Sequence, residues 1–340
     1  MQNNFLLSIC IPTLNRAKYL EGIIENFLKE TIHIENDVSL RDLIQLVVVD
    51  GASIDNTSLI IKKYQSECNL KYVKRNKRVG IDLDIIECVK ISDSKYTWLM
   101  SDYDLFMPNS IRYLFNFLKD NEVSGCFLNR TPYDFFIKKK VAEVKKWPGK
   151  LFSKNHFFND KDECFTKIGM DFGFISSQVF NREIFLKTLN EIKYEHLCDT
   201  YYLMVHVIAS IMNKNFRWVF IRKNLVIQRT GNDSLLLSKG LYERQLIEHQ
   251  NFKRIIEEHY DKKSKIYYKF FYKMVRRLPR VVANFKSQNV SYKTQIKILK
   301  LHLKLYSSYI HTWTNVIPIF LVPNFVFVII KKIYFNLILK

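Results

Sequence analysis

The sequence predicts an α/β fold: a mixed, mainly parallel sheet with helices on both faces, then a helical extension. Two observations carry the sheet. Over residues 1–120, apolar β-branched runs alternate with segments of helical period. The first two runs are mostly apolar, broken only by Ser8 and Gln45, and each run is followed by a helical segment, which argues parallel strands joined by crossover helices. A third observation carries the extension. Lys262 to Lys340 holds sixteen Lys and Arg and no Asp or Glu, against a net charge of +20 for the whole chain.

Taken in order, Phe5 to Ile11 reads as a buried strand, and Pro12, Thr13, Leu14, Asn15 and Arg16 as the turn after it. Tyr19, Ile23, Ile24, Phe27 and Leu28 then recur at helical spacing. Leu43 to Val49 is a second strand ending in Asp50, and Gly51, Ala52, Ser53, Ile54, Asp55 and Asn56 form its loop. Asp55 is placed to cap a helix over Thr57 to Glu67. Leu70 to Val73 is a third strand, and Ile81, Ile85, Ile86 and Val89 mark a helix after Gly80. Tyr96 to Met100 is the next strand. Pro108 starts a helix bearing Ile111, Leu114, Phe115 and Leu118.

In such sheets ligands sit beyond the C-terminal ends of the strands. Three polar loops fall there: Pro12 to Arg16, Asp50 to Asn56, and Ser101 to Asp104. No G-x-G-x-x-G follows the first strand, and no G-x-x-x-x-G-K-[ST] occurs, so a glycine cradle for phosphate is missing. Asp102 and Asp104 stand one residue apart at a strand end. Two close carboxylates repel, and burial penalises each, so a hard divalent cation would relieve both costs. That spacing suits Mn²⁺ or Mg²⁺, which also bind substrate phosphates. Taken alone, the pair reads equally well as a solvated acidic turn.

The six cysteines lie far apart, with no C-x-x-C pair, which argues against a zinc site or a disulfide framework and for reduced thiols. No basic segment followed by an apolar one opens the chain, so no secretory leader is expected.

Together LSICIPTLNRAKYL, VVVDGASIDNT and YTWLMSDYD resemble, in order and spacing, the nucleotide-binding half of the family 2 glycosyltransferases, whose fold is GT-A. Residues 173–185 (GFISSQVFNREIF) and Arg229 to Asn232 (RTGN) are similar to a subgroup that includes abequosyltransferase-like enzymes of O-antigen assembly. The resemblance implies a nucleotide-sugar-binding half over 1–120 and an acceptor-binding half over 121–240, while the charge and spacing of the rest predict a basic, amphipathic helical membrane-associating tail over 241–340. It implies that Pro12, Thr13, Asn15 and Arg16 frame the donor base, with Asp50 and Ser53 beside it, and that Gly80 and Asp82 lie near ribose and diphosphate. It implies Asp104 as the metal ligand, with Asp102 on ribose or on the metal through water. Ser176, Ser177 and Gln178 are expected in the sugar or acceptor pocket, and Arg229 and Asn232 at the leaving diphosphate. The family also needs a carboxylate base at the start of a later helix. Glu195 and Asp199 are the candidates, and Asp199, opening an apolar run, is preferred.

Simpler roles stand beside these. Asp50, Asp82 and Asp199 also suit helix N-termini, Arg229 suits a solvated loop, and Ser176 to Gln178 suit a satisfied strand. Two departures matter: many relatives carry an acid where this chain has Gly51, and another where it has Tyr103.

In the tail, Tyr292, Ile296, Leu299, Leu303 and Tyr306 share helical spacing, with Lys293, Lys297, Lys300 and Lys304 one residue along. This predicts a basic amphipathic helix of the kind that lies on an anionic membrane surface. Val316 to Ile330 is apolar but holds Pro318 and Pro323. As helix it would reach about 22 Å, short of the ~30 Å hydrocarbon core, so a monotopic or re-entrant segment before Lys331 and Lys332 is expected. A helical cap packed on the catalytic domain is the alternative. Aromatics among the basic residues also suit nucleic acid, which ranks lower beside a sugar-nucleotide site.

The expectation is therefore a metal-dependent inverting glycosyltransferase at the cytoplasmic face of a bacterial inner membrane. It would move a sugar from a nucleotide-diphosphate donor to a lipid-linked or surface glycan. The competing expectation is a catalytically degenerate membrane-surface or nucleic-acid-binding module on a GT-A scaffold.

Overall fold

The computed structural model describes residues 5–32, 34–35, 38–141, 148–214, 216–231, 234–276, 278–286, 291–326 and 329. The chain divides into two compact units, Met1–Asn232 and Asp233–Lys340.

In the first unit, β1 (Phe5–Thr13) leads into α1 (Ala17–Glu30). A small hairpin of β2 (Ile34–Glu35) and β3 (Val38–Ser39) precedes β4 (Ile44–Asp50). Then come α2 (Thr57–Tyr64), β5 (Leu70–Lys74), α3 (Ile81–Ile91), β6 (Ser94–Leu99), β7 (Leu105–Phe106), α4 (Ser110–Asp120) and β8 (Gly125–Tyr133). The second half adds α5 (Pro148–Leu151), β9 (His156–Phe157), α6 (Lys161–Ile168), β10 (Gln178–Asn181), α7 (Arg182–Glu191), α8 (Leu203–Lys214) and β11 (Trp218–Arg229). The strands and helices expected over residues 1–120 all form, with ends shifted by a few residues.

Nine strands make one sheet in the order β5-β4-β1-β6-β10-β8-β11-β7, with β9 on β11. β5, β4, β1 and β6 run parallel, and β10 enters antiparallel between β6 and β8. The halves expected on either side of residue 120 therefore share this sheet. Every residue of β4 is buried, which explains a run with no polar alternation. Leu20, Ile23, Ile24 and Phe27 of α1 and Ile111, Leu114, Phe115 and Leu118 of α4 give each helix one apolar stripe, packed into the sheet's main core. β1 lies between β4 and β6, so chain order reverses at this strand. The crevice beyond its C-terminal end is the switch point at which such sheets take ligands.

The second unit is helical: α9 (Ser234–His259), α10 (Lys265–Val275), α11 (Leu278–Lys286), α12 (Tyr292–Tyr306), a π-turn over Thr312–Val316, and α13 (Ile317–Leu321). The boundary expected at 240/241 falls inside α9. Phe252, Ile255, Ile256, Phe270, Phe271, Met274 and Ile298 are among its buried residues. On α12 the buried residues are Ile298, His302 and Tyr306, of which only Tyr306 belongs to the expected apolar face. Ile296, Leu299 and Leu303 are half-buried, and Lys293, Lys297, Lys300 and Lys304 are exposed. Among the described residues, no helix is long and apolar enough to cross a membrane. Lys331 and Lys332 lie outside the described residues.

Candidate active site

The first loop is held to the second. Asn15 has φ 53°, donates its N–H to Ser53 Oγ at 2.8 Å, and accepts the Ile54 N–H at 2.8 Å on Oδ1. Asp55, one residue ahead of α2's N-cap Asn56 rather than the cap expected, accepts the N–H of Thr57 at 3.1 Å and that of Ala17 at 2.9 Å. Pro12 and Thr13 pair in register with Val49 and Asp50, which sets the two loops side by side. Asp50 is fully buried; its carboxylate accepts the Ser53 N–H at 2.7 Å and the Tyr72 hydroxyl at 2.8 Å.

Gly51 lacks a side chain for a visible reason. A β-carbon there would lie 2.8 Å from Asp84 Oδ2. Asp84, in the first turn of α3, is buried and paired with Arg75 Nε at 3.3 Å. The acid missing after Asp50 is thus matched by another carboxylate in nearly the same space. Burial pushes the Asp84 carboxyl up, Arg75 pulls it back down, and Asp50 adds repulsion.

The acidic turn follows β6. Asp102 accepts Thr13 Oγ1 at 2.8 Å and Arg16 Nη1 at 2.9 Å, and the Arg16 guanidinium lies 4.8 Å above the Tyr103 ring. Burial raises the Asp102 carboxyl while Arg16 opposes that rise. Asp104 is fully buried and accepts Ser176 Oγ at 2.6 Å and the Arg229 N–H at 2.9 Å. Pairing of β7 with β11, Leu105 opposite Ile227, brings Arg229 to that position. Its guanidinium points away from a free role: Nε donates to Tyr103 O at 2.8 Å and Nη1 to Phe135 O at 2.6 Å. Burial pushes the Asp104 carboxyl up to about 7, against the Ser176 and Arg229 hydrogen bonds.

Ser176 also accepts the Ser101 N–H at 3.0 Å, so it braces the acidic turn from both ends. Ser177 Oγ meets Arg130 Nη1 at 3.4 Å, and Gln178 donates to Phe172 O and Phe174 O at 3.2 and 3.3 Å. Arg130 itself was not singled out by sequence. It is buried, stacks 4.3 Å over Phe174, pairs with Asp171 at 3.1 Å, and lowers the Asp104 carboxyl by its charge. An arginine directly after GCFLN, inside an otherwise mostly apolar strand, was the available signal. Asn232 lies outside the described residues.

Gly80, Asp82 and Asp199 form a second group. Gly80 has φ 95°, and a β-carbon on it would lie 2.8 Å from Asp199 Oδ1. Asp199 is exposed with φ 62°, and α8 begins only at Leu203, later than expected. The left-handed conformations of Asp199 and Tyr201 delay that helix. Asp82 is buried and accepts the Tyr201 N–H at 2.8 Å.

The comparisons decide the family. The glycosyl transferase family 2 model matches residues 8–187. The chain belongs to that family. Within it, this family 2 chain is 25% identical over 265 residues to an abequosyltransferase of Salmonella typhimurium, covering 76% of each chain. It is 30% identical over 172 residues to an uncharacterized glycosyltransferase of Mycoplasma genitalium, covering 45% of this chain and 56% of that one. Solved structures share the fold. S. aureus TarS 1–349 in complex with UDP-GlcNAc superposes with TM-score 0.63 at 14% identity, covering 88% of this chain and 80% of that one. A mannosyltransferase of Pyrobaculum calidifontis in complex with GDP-Man and Mn²⁺ gives TM-score 0.53 at 14% identity, covering 98% and 88%. The chain is thus a glycosyltransferase with a GT-A-like fold, as its motifs implied.

Proposed function

We propose that this glycosyltransferase is metal-dependent and inverting. It moves a sugar from a nucleoside diphosphate sugar to a lipid-linked or surface glycan, in O-antigen, capsule or lipooligosaccharide synthesis. Asp104 carries the reading. It is a fully buried carboxyl, pushed up to about 7, on the turn after β6, the parallel neighbour of the switch-point strand β1. Its two hydrogen bonds leave lone pairs on both oxygens.

The donor set fits Mn²⁺ or Mg²⁺. Asp104 is a hard oxygen ligand short of positive charge, whereas the charge of Asp102 is already met by Arg16. Among the described residues, no third His, Cys, Asp or Glu joins this pair as a ligand group. One or two carboxylates, with substrate phosphates and water, is the usual way Mg²⁺ is held. When bound, the ion supplies charge stabilisation to the leaving diphosphate.

The chain's own residues do the rest. Asp102, whose orientation Thr13 and Arg16 fix, would contact ribose or, through water, the metal. Asp50 and Ser53, with the loop from Pro12 to Arg16, form the base pocket, and the Asp84 carboxylate fills the space beside Gly51. Beside the sugar or acceptor pocket, Ser176 braces the acidic turn, Ser177 meets Arg130, and Gln178 holds the Phe172 and Phe174 carbonyls. Arg229 acts through its backbone N–H on Asp104 rather than through its guanidinium. The Asp199 carboxylate takes the proton of the acceptor hydroxyl as that oxygen attacks the anomeric carbon.

What supports this reading is the likeness to an abequosyltransferase, and to folds solved with UDP-GlcNAc or with GDP-Man and Mn²⁺. The second unit supports a site on an anionic membrane surface, at the cytoplasmic face of a bacterial inner membrane. Its exposed lysines on α12 accompany exposed Ile310, Trp313, Leu321 and Phe325. Basic residues near such a surface contribute about 1 kcal/mol each, and exposed apolar side chains enter its boundary. Nucleic acid is disfavoured as a partner.

The test is a thermal-shift screen of the purified chain with UDP, CDP, GDP and dTDP, each with and without Mn²⁺. A shift with one nucleotide that requires Mn²⁺ is expected. No shift with any of them would favour the degenerate binding module instead.

A further inference from the structure

We infer that Asp82 is a positioning residue: it clamps the backbone of 200–203 so that the Asp199 carboxylate is seated against Gly80. The inference rests on the reading of Asp199 as the base.

The segment ahead of α8 is strained in two places. Asp199 and Tyr201 have φ of 62° and 65°, a region that residues with a β-carbon rarely enter. Such conformations persist only where the surroundings over-determine them. Here the constraint comes from a distant part of the chain. Asp82, in the first turn of α3, accepts the Tyr201 N–H at 2.8 Å across 119 positions. Backbone hydrogen bonds from Leu203 and Thr200 reach the same carboxylate. The first N–H groups of a helix have no partner inside it. Asp82 serves α8 as a capping side chain would, but from another element.

Gly80 supplies the other half. With φ 95° and no side chain, it leaves the space that Asp199 Oδ1 occupies. Any β-carbon there would stand 2.8 Å from that oxygen. One helix start therefore does two things: Asp82 holds the backbone beside Asp199, and Gly80 makes room for its carboxylate. A cap that served stability alone would need neither the left-handed Asp199 nor its seat. The sequence reading put Asp82 near ribose and diphosphate. In the structure, the hydrogen bonds it accepts come from the 200–203 backbone.

The test separates turnover from donor binding. Its probes are the nucleoside diphosphate selected by the screen and the UDP-, GDP-, CDP- or dTDP-sugar with the same base, with Mn²⁺ and water as acceptor. Asp82→Ala should lower kcat about 100-fold, the usual cost of a misplaced catalytic group. Its Kd for the nucleoside diphosphate should stay within about threefold. Amide hydrogen exchange at Thr200, Tyr201 and Leu203 should accelerate in the same variant. Asp82→Asn, whose Oδ1 still accepts N–H groups, should recover most of the turnover and guards against a folding defect in the alanine variant. Gly80→Ala should reproduce the loss of kcat by displacing Asp199.

A parallel loss of nucleotide affinity in Asp82→Ala would make Asp82 a nucleotide contact and overturn the inference. Unchanged exchange at 200–203 would overturn it too. Turnover surviving Asp199→Asn would sink the base reading and, with it, the catalytic part of this inference. Exchange that still accelerates in Asp82→Ala would identify that failure as one of the base, not of the clamp.

Discussion

The backbone N–H of Arg229 donates to Asp104 Oδ1 at 2.9 Å, joining residues 125 positions apart. With Ser176 on the other oxygen, it ties the acidic turn to the far half of the sheet. The turn that the nucleotide-binding half presents is thus braced by the half expected to bind acceptor.

Ser176→Ala tests that brace. It removes the 2.6 Å hydrogen bond to Asp104 and the acceptor for the Ser101 N–H, both buried. The cost should be about 1–3 kcal/mol of stability. Urea denaturation measures it, and a midpoint equal to wild type would contradict it.

Gly51→Asp should cost stability rather than add a usable acid. Its β-carbon would sit 2.8 Å from Asp84 Oδ2 and set two carboxylates together. Overpacking of this kind costs about 1–3 kcal/mol. Pairing it with Asp84→Gly should recover most of that loss, read as coupling in a double-mutant cycle of thermal stability.

Asp82 predicts a pH dependence. Burial raises its carboxyl from 3.8 to about 6 in the folded chain, with the nearby Asp199 charge adding to the rise. A raised carboxyl means that the folded state binds the proton more tightly than the unfolded one. The resulting stability is fully present below pH 3.8 and is lost as pH rises through about 6. Asp82→Asn stays uncharged at both ends of that window. Denaturant titrations at pH 5 and pH 7.5 should therefore show wild type losing stability relative to this variant as pH rises.

The tail predicts salt-sensitive binding to phosphatidylglycerol vesicles. Replacing Lys293, Lys297, Lys300 and Lys304 by Gln should weaken it by about 1 kcal/mol per residue. Co-sedimentation at low and high salt reads the effect. Equal sedimentation of the two forms at low salt would remove α12 from the membrane account.

Much of this was legible in local patterns. The mostly apolar runs ending at Ile11, Val49 and Met100, alternating with helical segments, gave away parallel strands. Asp102 and Asp104 were legible as a costly pair at a strand end, but only their burial in the fold sets aside the solvated acidic turn that the spacing allowed equally. What stayed hidden depends on distant pairing. Arg229 reads as a free cation until β7 and β11 bring its N–H, not its guanidinium, to Asp104. Arg130 is an ordinary strand residue until Asp171, Ser177 and Phe174 gather round it. The loss at Gly51 looks like a missing acid until Asp84 is seen in that space. The helix after Asp199 starts late because Asp82 and the left-handed residues hold the segment open, which no local pattern records. On α12, the spacing marked the exposed lysines, while the buried Ile298 and His302 depend on packing within the second unit that no local pattern records.

The most direct test of the whole account is the Mn²⁺-dependent thermal shift with the selected nucleoside diphosphate, compared between wild type and Asp104→Ala. The account predicts a clear shift in wild type and none in the variant, with donor-sugar turnover lost in parallel. A variant that keeps both the Mn²⁺-dependent shift and turnover would contradict it.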